Sequence, residues 1–216
     1  GLAMICAIKG YKLILTMPDD MSIERRKILE KFNAEILLTP SIEGMTGAVY
    51  LAKKLSKEKK YFMPQQFENK ANPDVHELTT GPEIFNSVSN FDAFICGVGT
   101  GGTITGVGRF LKKMNPKIKI IAVEPANSAV LSGKKPGRHL IQGIGASFLP
   151  SVLDKKIYNE IITINDNEAV EMSDRLTKEA GFLVGISSGA NVAAAIKYGK
   201  QSKKKLTLVT ILCDTG

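Results

Sequence analysis

The sequence predicts an α/β fold in which a largely parallel sheet is covered by helices on both faces. Two patterns carry that prediction. Short apolar runs alternate with stretches of about 10–15 residues whose apolar positions recur at helical spacing, the mark of successive strand–helix units. The densest glycine segment of the 216 residues, Gly97-Val98-Gly99-Thr100-Gly101-Gly102, stands where one apolar run hands over to a helix, at the carboxyl end of a strand in such a sheet. A hydrophobic content of 44% with 23% charged residues is globular and excludes a disordered or collagen-like chain.

The elements follow in order. Residues 2–8 read as the end of a buried apolar helix stopped by Gly10. Residues 12–16 form an apolar strand, and Ser22 opens a helix that runs to about residue 32. Residues 35–39 are the next strand. Met45, Ala48, Val49, Ala52 and Leu55 then recur at helical spacing. Residues 61–63 read as a short strand ahead of the polar segment Pro64-Gln65-Gln66-Phe67-Glu68-Asn69. Asn72-Pro73 and Gly81-Pro82 each open a helical stretch, since proline suits a first turn. Strands at residues 93–96 and 118–123 flank a helix at 103–114, and a long loop fills 125–150. A strand at 161–164, helices at 167–180 and 188–198, and a last strand at 206–212 complete the pattern. No internal repeat of fixed period is present. Both ends read as interrupted: no residue before Gly1 caps the first helix, and Asp214-Thr215-Gly216 stops in the turn after a strand.

The formal charge is +8, from 29 Lys+Arg against 21 Asp+Glu. Its densest parts, Lys57-Glu58-Lys59-Lys60 and Lys203-Lys204-Lys205, stand at a helix end or just before a strand, where cations suit the helix dipole and solvent. Base-stacking aromatics do not interleave them, so no nucleic-acid partner is expected. The longest uncharged stretch, residues 180–196, contains three glycines and falls short of the roughly 20 apolar residues of a membrane span. No membrane segment, signal peptide or metal site is expected. Cys6, Cys96 and Cys213 lie far apart in apolar runs and read as buried reduced thiols of a cytoplasmic protein.

Four segments could carry chemistry, and all sit at or beyond the carboxyl ends of strands, where open parallel sheets bind ligands. In the glycine segment, Gly99, Thr100, Gly101, Gly102 and Thr103 can turn backbone N–H groups and two hydroxyls toward an anion at a helix N-terminus, a phosphate above all. A ligand-free tight turn remains the alternative. Gly97-x-Gly99-x-x-Gly102 also satisfies a dinucleotide fingerprint, with Glu124 as its acidic residue or as a plain strand end. Gly185-Ile186-Ser187-Ser188-Gly189 opens a helix; its serines are N-caps, ligand contacts or, with His76 or His139, a nucleophile elbow in an unusual chain order. Gln142-Gly143-Ile144-Gly145 and Gln65-Gln66-Phe67 supply further backbone and side-chain amides.

Taken in order, Met21-Ser22-Ile23-Glu24-Arg25-Arg26, Gln65-Gln66-Phe67, Thr79-Thr80-Gly81-Pro82-Glu83-Ile84, Gly99-Thr100-Gly101-Gly102-Thr103, Ile141-Gln142-Gly143-Ile144-Gly145 and Gly185-Ile186-Ser187-Ser188-Gly189 resemble the cysteine synthase (O-acetylserine sulfhydrylase) family over nearly the whole chain. That resemblance implies the tryptophan-synthase β-like fold (fold type II of pyridoxal-phosphate enzymes): two three-layer αβα domains around mostly parallel sheets. Residues 1–78 would be the remnant of the smaller mobile domain and residues 79–216 most of the large cofactor domain. It implies pyridoxal 5'-phosphate as cofactor, its phosphate held by Gly99, Thr100, Gly101, Gly102 and Thr103 and its pyridine nitrogen by Ser187. Gln66 would meet the substrate carboxylate, and Gly143, Ile144 and Gly145 would line the substrate side. The implied reaction converts O-acetyl-L-serine and sulfide to L-cysteine and acetate in a cytoplasmic homodimer that also accepts the C-terminal tail of serine acetyltransferase. A cystathionine β-synthase-like replacement and a non-catalytic phosphate- or peptide-binding module are the alternatives. The family's Schiff-base lysine lies in an Asn-Pro-x-x-Ser-x-Lys-Asp stretch that does not occur here, so no catalytic residue is assigned. Thr46 and Cys213 stand where many relatives carry Lys and Pro.

Overall fold

Strand formation follows burial on two faces. The computed structural model describes residues 1–88 and 90–214, and the chain divides into two units, Gly1–Pro64 and Gln65–Gly216. In the first unit, helix α1 (Leu2–Lys9) ends on Gly10 at φ 71°, a left-handed cap whose turn closes through Tyr11 N donating to Cys6 O at 2.9 Å. Strands β1 (Ile14–Pro18) and β2 (Glu35–Thr39) pair in parallel, Ile14 opposite Glu35. Between them runs α2 (Ile23–Lys31), capped by Ser22. Helix α3 (Gly44–Lys59) packs on β1, where the Thr16 hydroxyl donates to Ala48 O at 2.8 Å.

The second unit holds the larger sheet. Helix α4 (Ala71–Val75), a π turn at His76–Thr80 and α5 (Gly81–Ser87) follow one another without a break. Then come β3 (Ala93–Gly97), α6 (Gly102–Met114), β4 (Lys119–Pro125), β5 (Glu160–Ile164), α7 (Asp166–Ala180), α8 (Ile186–Gln201) and β6 (Leu208–Thr210). The four strands lie in the order β5-β4-β3-β6, all parallel. Alternation along β3 sorts the core into two layers. Phe94 and Cys96 pack with Val107 and Leu111 of α6, whereas Ala93 and Ile95 pack with Ala190 and Ala194 of α8. Helices on both faces make this unit a three-layer αβα sandwich.

Several expectations change. Residues 61–63 form no strand, because the small sheet consists of β1 and β2 alone; Phe62 is 88% exposed. The two helices read from residues 72 and 81 are one helical run. Its segment before residue 79 lies in the unit Gln65–Gly216, where Asn72 and His76 both bond to the glycine segment. Helix α1 buries only Ala3, while Leu2, Met4, Ile5 and Ile8, spread round its circumference, stay exposed. Of the three free thiols only Cys96 is buried, Cys6 being half-buried and Cys213 exposed. Thr215 and Gly216 of the C-terminal turn lie outside the described residues. Among the described residues, no helix is long and apolar enough to cross a membrane.

Candidate functional site

The glycine segment occupies the turn between β3 and α6. Its base is fixed from behind: Val98 N donates to Val123 O at 2.9 Å, and Gly97 N donates to Oδ1 of the fully buried Asn191 at 2.7 Å. Gly101 takes a left-handed φ of 83°, and a Cβ there would sit 2.7 Å from Leu153 Cβ. At Gly99 a Cβ would collide with Gly143 O, so only glycine lets the two loops touch. The N-cap of α6, Gly101, has no side chain to cap the helix, and the leading N–H groups of a helix have no intrahelical partner. They present a partial positive charge to whatever sits ahead of the helix. Thr100 Oγ1 already accepts from Gly102 N (3.2 Å) and Asn72 Nδ2 (3.0 Å), which leaves its proton free to donate.

The other segments close on this turn. Gly145 N donates to Val98 O at 2.9 Å, and Ile144 packs so near Gly97 that a Cβ there would lie 2.8 Å from Ile144 Cγ2. Ser187 sits buried in the first turn of α8, its Oγ 3.9 Å from where a Cβ of Gly143 would be. Its neighbour Ser188 donates to Asp214 Oδ1 at 2.9 Å and accepts from Cys213 N at 2.8 Å. The Ser187 hydroxyl is only loosely placed on the same carboxylate, at 3.4 Å, and can turn to a better acceptor. Gln66 is joined through Asn72, whose Nδ2 donates to Gln66 O at 2.8 Å as well as to Thr100. Next to it, Phe67 is buried edge-on against Phe148, ring centres 5.0 Å apart.

Two alternatives fail on geometry. Glu124 is 1% exposed and both its carboxylate oxygens are engaged, accepting from Leu131 N (2.8 Å), Ser132 N (3.0 Å) and Ser132 Oγ (2.5 Å). It clamps the loop after β4 and lies buried beneath it, not displayed to a ribose. No histidine serves Ser187 as a base: His139 Nε2 faces Gly145 O at 3.3 Å, and the His76 ring lies between Thr80 and Thr103. Asn72 and Asn191 were not read as site residues, and His76 only as a candidate base for Ser187. Asn72, His76 and Thr80 are four residues apart and share one helical stripe, but nothing in that spacing says which loop the stripe faces.

These residues fit a phosphate-bearing pyridine ring. The glycine cradle admits no Cβ, the N-cap of α6 is a glycine with no side chain to fill the space ahead of the helix, and a buried neutral hydroxyl stands at Ser187. Among the described residues, no group of three or more His, Cys, Asp or Glu is placed to hold a metal ion. The chain is 54% identical, over its whole length and 70% of the relative's, to a cysteine synthase of Staphylococcus aureus. Among solved structures it superposes on a hydrogen sulfide-producing enzyme from Fusobacterium nucleatum with a TM-score of 0.95 at 42% identity, covering all of this chain and 74% of that one. A cysteine synthase from Entamoeba histolytica gives 0.91 at 39% identity, covering all of this chain and 64% of that one. The family model of pyridoxal-phosphate dependent enzymes matches residues 1–214, and the chain belongs to that family.

Proposed function

We propose that the chain belongs to a pyridoxal-phosphate-dependent cysteine synthase of cysteine biosynthesis, whose whole protein converts O-acetyl-L-serine and sulfide to L-cysteine and acetate, and that the 216 residues alone, without the Schiff-base lysine, do not turn over. The observation that carries the reading is 54% identity to a cysteine synthase in an alignment that covers the whole chain. Pyridoxal phosphate supplies an electron sink for breaking the bond to the leaving group. Everything else falls to the protein. Gly99, Thr100, Gly101, Gly102 and Thr103 hold the phosphate. Ser187 turns its hydroxyl to the pyridine nitrogen; being neutral, it does not stabilise a charged ring as a carboxylate would, which suits release of acetate, a good leaving group. Gln66 orients the substrate carboxylate, and Gly143, Ile144 and Gly145 shape the substrate side without bulk. The proton at Cα is assigned to no residue of this chain, none of whose lysines stands in the family's lysine stretch. A cytoplasmic homodimer that accepts a serine acetyltransferase tail in the same cleft completes the reading, on the strength of the family resemblance.

The test is turnover by the protein purified from its native source. Cysteine and acetate released in equal amounts from O-acetyl-L-serine and sulfide are expected; turnover with homocysteine alone would overturn the assignment.

A further inference from the structure

Both threonines of the glycine segment are held from one helix face. Asn72 Nδ2 donates to Thr100 Oγ1 at 3.0 Å, and one turn further on His76 Nε2 lies 3.2 Å from Thr103 Oγ1. The other ring nitrogen of His76, Nδ1, lies 2.9 Å from Thr80 Oγ1, one turn further again. The stripe cannot drift: Pro73 O, Glu77 N and His76 Cβ crowd Gly106 of α6, with His76 Cβ 2.7 Å from where a Cβ would be. Burial holds the imidazole below its ordinary pKa of 6.5, so the ring is neutral and carries one N–H. Which nitrogen carries it decides what Thr103 can do. If Nε2 is bare, it takes the Thr103 proton, and that hydroxyl faces an anion with lone pairs only. If Nε2 carries the hydrogen, it donates to Thr103 Oγ1 and frees the threonine proton.

We propose that His76 is a positioning residue for the cofactor phosphate: Thr80 donates its hydroxyl to Nδ1, this fixes the Nε2–H tautomer, and Nε2–H donates to Thr103 so that the Thr103 hydroxyl points its proton at the phosphate. The chain of donors runs in one direction, Thr80 to His76 to Thr103 to phosphate, and each bond polarises the next. The inference rests on the reading that residues 99–103 take the phosphate of pyridoxal phosphate.

Two amides separate this role from simple packing, because a glutamine N–H reaches the place of Nε2 and an asparagine only that of Nδ1. Dissociation constants for pyridoxal phosphate and for pyridoxal, which lacks the phosphate, are measured on the wild-type chain, His76→Gln, His76→Asn and Thr80→Val. The expected result is that His76→Asn weakens pyridoxal phosphate about tenfold, the loss of one hydrogen bond to a charged group, while pyridoxal binding stays unchanged. His76→Gln restores most of the loss, and Thr80→Val gives an intermediate one. A second measurement needs no variant: the nitrogen-15 shifts of His76 in the wild-type chain with phosphate bound report the protonated nitrogen. Nε2–H is expected, and Nδ1–H would overturn the proposal. Equal phosphate-dependent affinity in all four proteins would overturn it too. Failure of the wild-type chain itself to prefer pyridoxal phosphate over pyridoxal would instead remove the phosphate site, and this inference with it.

Discussion

Asn191 holds the site from behind. Its side chain is fully buried, accepts from Gly97 N at 2.7 Å and donates to Ile211 O at 2.8 Å, so one amide joins β3, α8 and the segment after β6. Asn191→Leu keeps the volume and leaves both backbone groups unpaired, which costs about 2–6 kcal/mol at 1–3 kcal/mol for each orphaned group. The urea midpoint of the larger unit reports it. Gly99→Ala acts on the other side of the same turn. Its methyl meets Gly143 O, both loops must separate, and affinity for pyridoxal phosphate is expected to fall more than tenfold, as equilibrium dialysis would show. His76 adds a pH dependence. Burial lowers its folded-state pKa, so below about pH 6.5 the unfolded chain takes up a proton that the folded ring resists. Its contribution to stability is therefore full above about pH 6.5 and declines as the pH falls toward the folded-state value. Between about pH 7.5 and pH 5.5, the wild-type chain should lose more stability than His76→Gln, measured by urea denaturation.

At the scale of elements, the contact that matters is α6 against the helical run of residues 71–87. Pro82 explains why that run carries a π turn. A regular α-helix would press its ring on the carbonyl four residues back, that of Leu78, and would leave a donor missing. At His76–Thr80 the helix widens instead, and Gly81 N reaches back five residues to His76 O. The run then lies directly on Gly106, so Gly106→Ala should force it off α6. Part of the His76–Thr103 and Asn72–Thr100 bonding would go with it, at about 1–3 kcal/mol of overpacking. A lowered thermal midpoint together with weaker cofactor retention would show that the two effects share a cause. Pattern reading saw two proline-started helices here, because periodicity registers helix type and not one added residue in a turn. It did better where burial sets the pattern. Strand β2 was legible to the residue, and β3, β4 and β5 to within about two, since each is an apolar run bounded by turn residues. The glycine segment was legible for the same local reason. The bonds from Asn72 and His76 to the threonines span 28 and 27 residues and leave no mark within a short window.

At the scale of the molecule, the two units differ in what holds them. In Gly1–Pro64 a two-stranded sheet carries three helices, and the buried hydrophobic side chains are Ala3, Met17, Ala34 and Ala48. A pair of strands alone is marginal in water, and three of those four side chains are alanines, which shield little apolar area. Gln65–Gly216 has a four-stranded sheet with Phe94, Ile95, Ile120, Ile121 and Val123 at 0% exposure, covered on both faces. Local opening should therefore require much less free energy in the first unit than in the second. Hydrogen exchange followed by mass spectrometry reads this directly. Amides of β1 and β2 are expected to exchange at least about 100-fold faster than those of β3 and β4, a difference of about 2.7 kcal/mol in opening free energy. Adding pyridoxal phosphate should slow exchange at residues 97–104, where its phosphate would order the turn. Ligand binding to the native state of the larger unit should raise β3 and β4 protection with it. Equal protection in β1 and β3 would mean instead that the chain opens as one cooperative body, with the small sheet drawing its stability from the large one.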